Sequence, residues 1–276
     1  MKKEGNQAIV VFAIGDKYFK EFSRTFRPSF ERYARKISIP LIISEKQLQE
    51  TTKHPSWQKL LVFKHPTVSQ CEKIMIIDGD MYITKHAQNI FSVCANVSWA
   101  ACRNNAYNLS DLAKSDLDLY RFCSSTNRPN FVVNCGMFII SHFYKDSIEK
   151  IFKEQKEQTC YEQGPLSYFL INQPGGKILP PEFNTIVSSY VDNYGCSLSS
   201  ILKMYQSASF LHFAASKWRS IFYFIRWLDT TESEFLKKCV FFCGKKRFDF
   251  LTSRMFKLFE RFLGVYNYRV KRLFSK

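Results

Sequence analysis

Ile74-Met75-Ile76-Ile77-Asp78-Gly79-Asp80-Met81-Tyr82-Ile83 is an apolar run broken by two carboxylates with one glycine between them. The opening residues, apolar and mostly β-branched, read as a buried strand. Side chains at i and i+2 of a strand share a face. Where such a strand opens into a loop, Asp78 and Asp80 can therefore converge on one divalent cation. Gly79 lets a ligand approach the backbone between them. Hard cations such as Mg2+ and Mn2+ take oxygen ligands and keep contact with substrate phosphates. A strand-end Asp-Gly-Asp thus points to a metal-bridged diphosphate substrate. The competing reading of these three residues alone is a turn with two solvated acids.

Working outward from this stretch, residues 8–14 form a continuous apolar, β-branched run and read as a first strand. Residues 17–36 have helical spacing (Tyr18, Phe22, Phe26, Tyr33), with Pro28 as an interruption. Residues 40–43 predict a second strand and residues 57–70 a helix. A short strand is expected over 98–102, a helix over 108–123, a central strand over 131–141 and a helix over 143–157. A further helix over 162–172 stops at the turn signal Asn172-Gln173-Pro174-Gly175-Gly176. Residues 209–213 predict a last strand. Strands alternating with helices imply an α/β layer fold with a mostly parallel sheet.

The chain has 276 residues, 46% of them hydrophobic, enough for one large domain with a sizeable core. Its formal charge of +16 implies an anionic partner: nucleic acid, an acidic membrane surface or a phosphorylated ligand. That charge is concentrated in residues 217–276, where 15 Lys/Arg face 5 Asp/Glu among 16 aromatics. The division expected is therefore a domain over 1–216 and a helical basic-aromatic region over 217–276. Within the latter, Phe248, Leu251, Met255, Phe256, Phe259, Phe262 and Leu263 fall on one helical face, the pattern of an interfacial amphipathic helix. The nine cysteines are odd in number and contain no CxxC pair, which favours reduced thiols in a cytoplasmic setting. No apolar run reaches the ~18–20 residues of a transmembrane helix, and residues 8–14 suit a buried strand better than a signal peptide.

Other segments fit a metal–diphosphate site. Ligands of open α/β sheets bind beyond the carboxyl ends of the strands, where Tyr18 follows the first strand and offers a flat ring to a base. Lys59 offers a charge to phosphate, although a solvated helix lysine is the commoner fate. Asn134-Cys135-Gly136 places a polar amide and a glycine inside an apolar strand. They read as a sugar-pocket floor or as a bulge with a satisfied core amide. Glu162-Gln163 opens a helix. His212 ends the last strand, and two Asp with one His make a suitable Mn2+ site.

Taken in order, these segments resemble the family 8 glycosyltransferases, the retaining GT-A group that includes glycogenin and bacterial lipooligosaccharide galactosyltransferases. The matching landmarks run from Ala13–Tyr18 through Lys59, Asp78-Gly79-Asp80, Asn134-Cys135-Gly136, Glu162-Gln163, Leu179-Pro180 and Phe183-Asn184 to His212-Phe213 and Lys217-Trp218. The resemblance implies a GT-A, Rossmann-like sheet flanked by helices, and hexose transfer from a UDP-sugar to a glycan or lipid-linked glycan acceptor. Asp78, Asp80 and His212 would hold Mn2+ or Mg2+, with Gly79 between the acids. Phe12, Ala13, Ile14 and Tyr18 would receive the uridine. Lys59 and Lys217 would contact ribose or diphosphate, and Asn134, Glu162 and Gln163 would face the donor sugar. Here the segment after His212-Phe213 is one residue shorter than the family pattern, with Ala215 in place of Gly and no Pro before Trp218. A cytoplasmic enzyme peripheral to an anionic membrane is expected, with no nucleic-acid partner.

Two other classes compete. Asp78-Gly79-Asp80 also resembles the motif of haloacid-dehalogenase-type phosphatases, but those favour Thr or Val where this chain has Tyr82. A basic nucleic-acid binder would use the Arg/Lys-aromatic tail, yet no nucleic-acid module is present.

Overall fold

The computed structural model describes residues 6–104, 131–156, 161–214 and 219–230. The helix expected over 108–123, the amphipathic face over 248–263 and Lys217 lie outside the described residues. The chain divides into two compact units, Met1–Ser189 with Ala208–Ala214, and Tyr190–Ser207 with Ala215–Lys276.

The first unit is built on a six-stranded sheet. Its strands are β1 (Gln7–Phe12), β2 (Leu41–Ser44), β3 (Lys73–Ile77), β5 (Trp99–Arg103), β6 (Val133–Ser141) and β7 (Gly176–Leu179). They lie in the order β2-β1-β3-β6-β5-β7. β1 pairs in parallel with β2 and β3, and β5 in parallel with β7. β6 runs antiparallel to both its neighbours. The sheet is therefore mixed and mostly parallel. β1, β3 and β6 are buried on both faces, as continuous apolar runs require. Ala8, Val10 and Phe12 share a core with Trp57, Leu60, Phe63, Phe138, Phe152 and Leu166.

A smaller sheet consists of β4 (Met81–Ile83), β8 (Thr185–Ile186) and β9 (Phe210–His212), in the order β4-β9-β8. β4 and β9 are antiparallel with Met81 opposite His212. The last strand expected from sequence is thus real but belongs to this second sheet.

The segment 17–36 forms two helices, α1 (Asp16–Thr25) and α2 (Arg27–Ile37). Pro28 stands in the first turn of α2, where a missing N–H costs nothing but an uninterrupted helix is impossible. α2 ends at Ser38 in the left-handed conformation, φ 57°. The helix expected over 57–70 is instead a 3-10 helix over Pro55–Lys64. Every residue from Trp57 to Phe63 in it is buried, so tertiary packing on all sides decides its geometry where propensity does not. The remaining helices of this unit's core are α3 (Ile90–Val93), α4 (Lys145–Glu154) and α5 (Gln163–Ile171). α4 and α5 match their expected positions within a few residues.

α6 (Val187–Tyr194) leads into the second unit. Among that unit's described residues, α7 (Leu198–Ser207) and α8 (Arg219–Thr230) bury Ile201, Met204, Ile221, Phe222, Ile225 and Leu228. Tyr205 donates its hydroxyl to the buried Asp229 Oδ1 at 2.6 Å.

Candidate metal-binding cleft

A cleft of about 590 Å3 opens at the carboxyl ends of β1 and β3. Phe12, Ile14, Tyr18, Lys59, Asp78, Asp80, Asn134, Glu162, Gln163 and His212 all line it. Of the remaining sequence-derived candidates, Ala13 is fully buried behind the wall, its N–H donating to Ser44 O at 2.9 Å. Gly79 is buried beneath Tyr18: a β-carbon there would meet the Tyr18 hydroxyl at 3.0 Å.

The backbone brings the acids and the imidazole together in steps. Asp78 ends β3 and is tied to β6, its N–H donating to Gly136 O at 2.7 Å. A turn follows, in which Met81 N–H donates to Asp78 O at 3.3 Å. β4 then begins and pairs with β9, and Phe213 N–H donates to Asp80 O at 3.0 Å. This register sets His212 beside Asp80, with Nε2 3.4 Å from Asp80 Oδ1.

One ligand atom from each of Asp78, Asp80 and His212 lies within 4.8 Å of the others. His212 Nδ1 is buried and makes no hydrogen bond, and the buried Asp80 Oδ1 meets only the long ion-pair contact with His212 Nε2. Buried polar atoms are normally satisfied, and two carboxylates with one imidazole are the donor set of a hard-to-borderline divalent cation. The residues present therefore fit such an ion. Burial works against a charged His212, but Asp80 and Asp78 outweigh it and hold the imidazole above its usual range. Burial likewise opposes ionisation of Asp80, and His212 more than offsets it, keeping that carboxyl below the usual range.

Gly136 explains a glycine inside a central strand. A β-carbon there would sit 2.4 Å from His212 Cε1 and 2.8 Å from Asn134 Oδ1. The imidazole packs directly on the strand backbone. Asn134 is buried with both ends of its amide engaged. Its Oδ1 accepts from Gly136 N–H at 2.9 Å and Asn184 Nδ2 at 2.8 Å, and its Nδ2 donates to Asn104 Oδ1 at 2.9 Å.

Lys59 is buried beneath the cleft. Its ammonium meets Asp78 Oδ1 at 2.7 Å, Glu162 Oε1 at 2.8 Å and Cys135 O at 3.1 Å. Those contacts account for all three of its donors. Burial works against the charge, but Asp78 and Glu162 prevail and hold the lysine above its ordinary pKa. Gln163 opens α5 and accepts from Cys135 N–H at 3.4 Å. Tyr18 is partly exposed; burial of its hydroxyl and the nearby carboxylates Asp80 and Asp78 push the phenol well above its usual range.

The rim carries two residues that sequence patterns did not single out, His54 and Tyr161. Their rings stack with centroids 3.8 Å apart and an interplanar angle of 14°. Tyr161 has φ 53°, a left-handed conformation that costs a non-glycine residue roughly 1–3 kcal/mol. No spacing or periodicity marks a residue isolated in a loop, so the only available signal was the position of Tyr161 just before Glu162-Gln163.

No protein-family model and no curated protein matches the sequence. Comparison with solved structures finds a likeness in fold to a glycosyltransferase involved in the glycosylation of the major capsid of PBCV-1. The TM-score is 0.53 at 14% identity, over 79% of this chain and 98% of that one. The fold is of the GT-A type. Among the described residues, no helix is long and apolar enough to cross a membrane.

Proposed function

We propose that this protein is a metal-dependent glycosyltransferase that moves a hexose from a UDP-sugar to a glycan or lipid-linked glycan acceptor, with retention at the anomeric carbon. One observation carries the reading: Asp78, Asp80 and His212, drawn from two sheets, converge within 4.8 Å in the cleft at the strand ends of a GT-A-type sheet. The glycosyltransferase likeness supports the same class of chemistry.

Asp78, Asp80 and His212 would hold Mn2+ or Mg2+. Bound there, the cation supplies Lewis-acid stabilisation of the diphosphate leaving group. In transfer, the bond between the anomeric carbon and the diphosphate oxygen breaks with its electron pair going to the diphosphate, an acceptor hydroxyl oxygen bonds to that carbon, and the hydroxyl proton passes to the departing diphosphate oxygen. Phe12, Ile14 and Tyr18 form the base side of the cleft. Gln163 and Glu162 form the sugar side, and Gln163 Nε2 has no hydrogen-bond partner among the described residues. Gln163 is placed to stabilise charge at the anomeric centre. Lys217 is proposed as a second diphosphate contact. The charge of residues 217–276 supports attachment to an anionic cytoplasmic membrane surface, each Lys/Arg adding ~1 kcal/mol.

The test is a panel of nucleotide sugars with and without Mn2+, read by thermal shift and by release of nucleoside diphosphate. Mn2+-dependent protection and turnover are expected, both lost in Asp80→Ala and His212→Ala. Turnover unchanged by chelation and by both substitutions would remove the reading. Flotation of the full chain on phosphatidylserine vesicles, compared with neutral vesicles, tests membrane attachment; equal flotation rejects it.

A further inference from the structure

From the stacked His54–Tyr161 pair we infer an acceptor subsite: the rim of the cleft carries an aromatic platform for the apolar face of a pyranose ring. This inference rests on the donor-site reading above and extends it to the second substrate.

Three observations converge on the pair. Both rings line the same cleft as the acidic trio, and Tyr161 is 42% exposed there. An aromatic ring left on a surface forgoes burial, and Tyr161 does so in a left-handed backbone conformation that disfavours it further. Unusual backbone conformations of this kind cluster at ligand clamps. Finally, the imidazole lies almost flat against the phenol ring and fixes its plane. His54 is itself anchored, its Nδ1 2.9 Å from Ser56 Oγ and accepting from Ser56 N–H at 3.3 Å. A ring already held in place loses little freedom when a ligand settles on it.

Chain adjacency gives the platform its ligand. Tyr161 immediately precedes Glu162 and Gln163, on the proposed sugar side of the cleft, whereas Tyr18 lies over Gly79, between the two aspartates. A planar base is therefore served by Tyr18, and the ring beside Gln163 meets a saturated sugar. A pyranose presents axial C–H bonds on one face. Their partial positive charge is attracted to the electron-rich face of an aromatic ring. The sugar's hydroxyls then remain at the edge, free to point towards the reacting carbon. With an acceptor sugar seated here, its attacking hydroxyl comes from the same side as Gln163.

The experiment uses the full chain and three disaccharide probes, lactose, maltose and cellobiose, with uridine as the planar control. Saturation-transfer NMR reads contact between protein aromatics and sugar C–H protons. At least one disaccharide is expected to receive saturation from wild type. Tyr161→Ala should weaken its binding roughly tenfold while Tyr161→Phe, which keeps the ring, retains it. His54→Ala should weaken it too, by freeing the phenol ring. Wild type that contacts none of the three, contact unchanged in Tyr161→Ala, or uridine lost in place of sugar overturns the platform. A parallel thermal shift with UDP and Mn2+ separates the two claims. Nucleotide protection without sugar contact sinks the platform alone; sugar contact at Tyr161 without nucleotide protection sinks the donor reading and leaves a glycan-binding rim.

Discussion

Lys59 and Glu162 meet at 2.8 Å where neither side chain has appreciable contact with solvent, and the same ammonium reaches Asp78 at 2.7 Å. One cation thus joins a candidate metal ligand to the residue before Gln163. Lys59→Met leaves two carboxylates and the Cys135 carbonyl without their common donor. Removing one partner of a buried pair costs roughly 3–5 kcal/mol. The midpoint of thermal unfolding should fall by roughly 6–15 °C. Lys59→Arg, which keeps the charge, should recover part of that loss. A melting temperature unchanged in Lys59→Met would show that the triad contributes nothing to stability.

Gly136→Ala places a methyl group within 2.4 Å of His212 Cε1. The strand backbone cannot retreat, so the imidazole must. Mn2+ affinity is expected to drop by about 10–100-fold, the range seen when the support of a ligating histidine is disturbed. Far-UV circular dichroism should be unchanged. Calorimetric titration with Mn2+ checks the first expectation. Wild-type affinity in the variant would mean that His212 is not held by this contact.

Asn134→Ala removes the acceptor of Gly136 N–H and Asn184 Nδ2 and the donor to Asn104. Buried groups left without partners cost about 1–3 kcal/mol each. A destabilisation of roughly 2–4 kcal/mol in urea is expected. Because the same amide braces Gly136, Mn2+ protection should weaken as well. A purely local loss, with Mn2+ protection intact, would separate Asn134 from the site.

Glu149 on α4 is held by Lys153 at 2.7 Å and by Lys64 at 3.2 Å, which keep its carboxyl below the usual range. A depressed carboxyl stabilises the fold above its unfolded value of about 4.3 and loses that contribution as pH falls through the folded value. The lysines are solvent-accessible, so the contribution is at most ~1 kcal/mol. Glu149→Gln should be less stable than wild type at neutral pH and indistinguishable from it in strong acid. A constant gap across that pH range would contradict the assignment.

Much of the first unit was legible because its strands are continuous apolar runs. β1, β3 and β6 are buried on both faces, and no alternating pattern was needed to find them. The 3-10 helix at Pro55–Lys64 was harder, since a segment buried all round carries no amphipathic signature. β7 was hidden because Gly175-Gly176 reads as a turn, yet Gly176 pairs directly with Trp99. β8 is two residues long and leaves no periodicity to detect. In the site, Asp78, Asp80 and His212 were visible as residue types at strand ends. What spacing does not reveal is that Lys59 and Asn134 spend their polar atoms on the protein itself. The existence of a second sheet was equally invisible, because pairing between Met81 and His212 depends on partners far apart in the chain.

That pairing has a consequence for how the protein tolerates change. β9 has only three residues, and a strand shifted by one position turns every side chain to the opposite face. A single insertion or deletion between Phe210 and His212 would leave the large sheet whole yet swing the imidazole out of reach of both acids. Because Phe210 and Leu211 are fully buried in that same ladder, a slip of one peptide unit would cost core packing and the candidate metal site together.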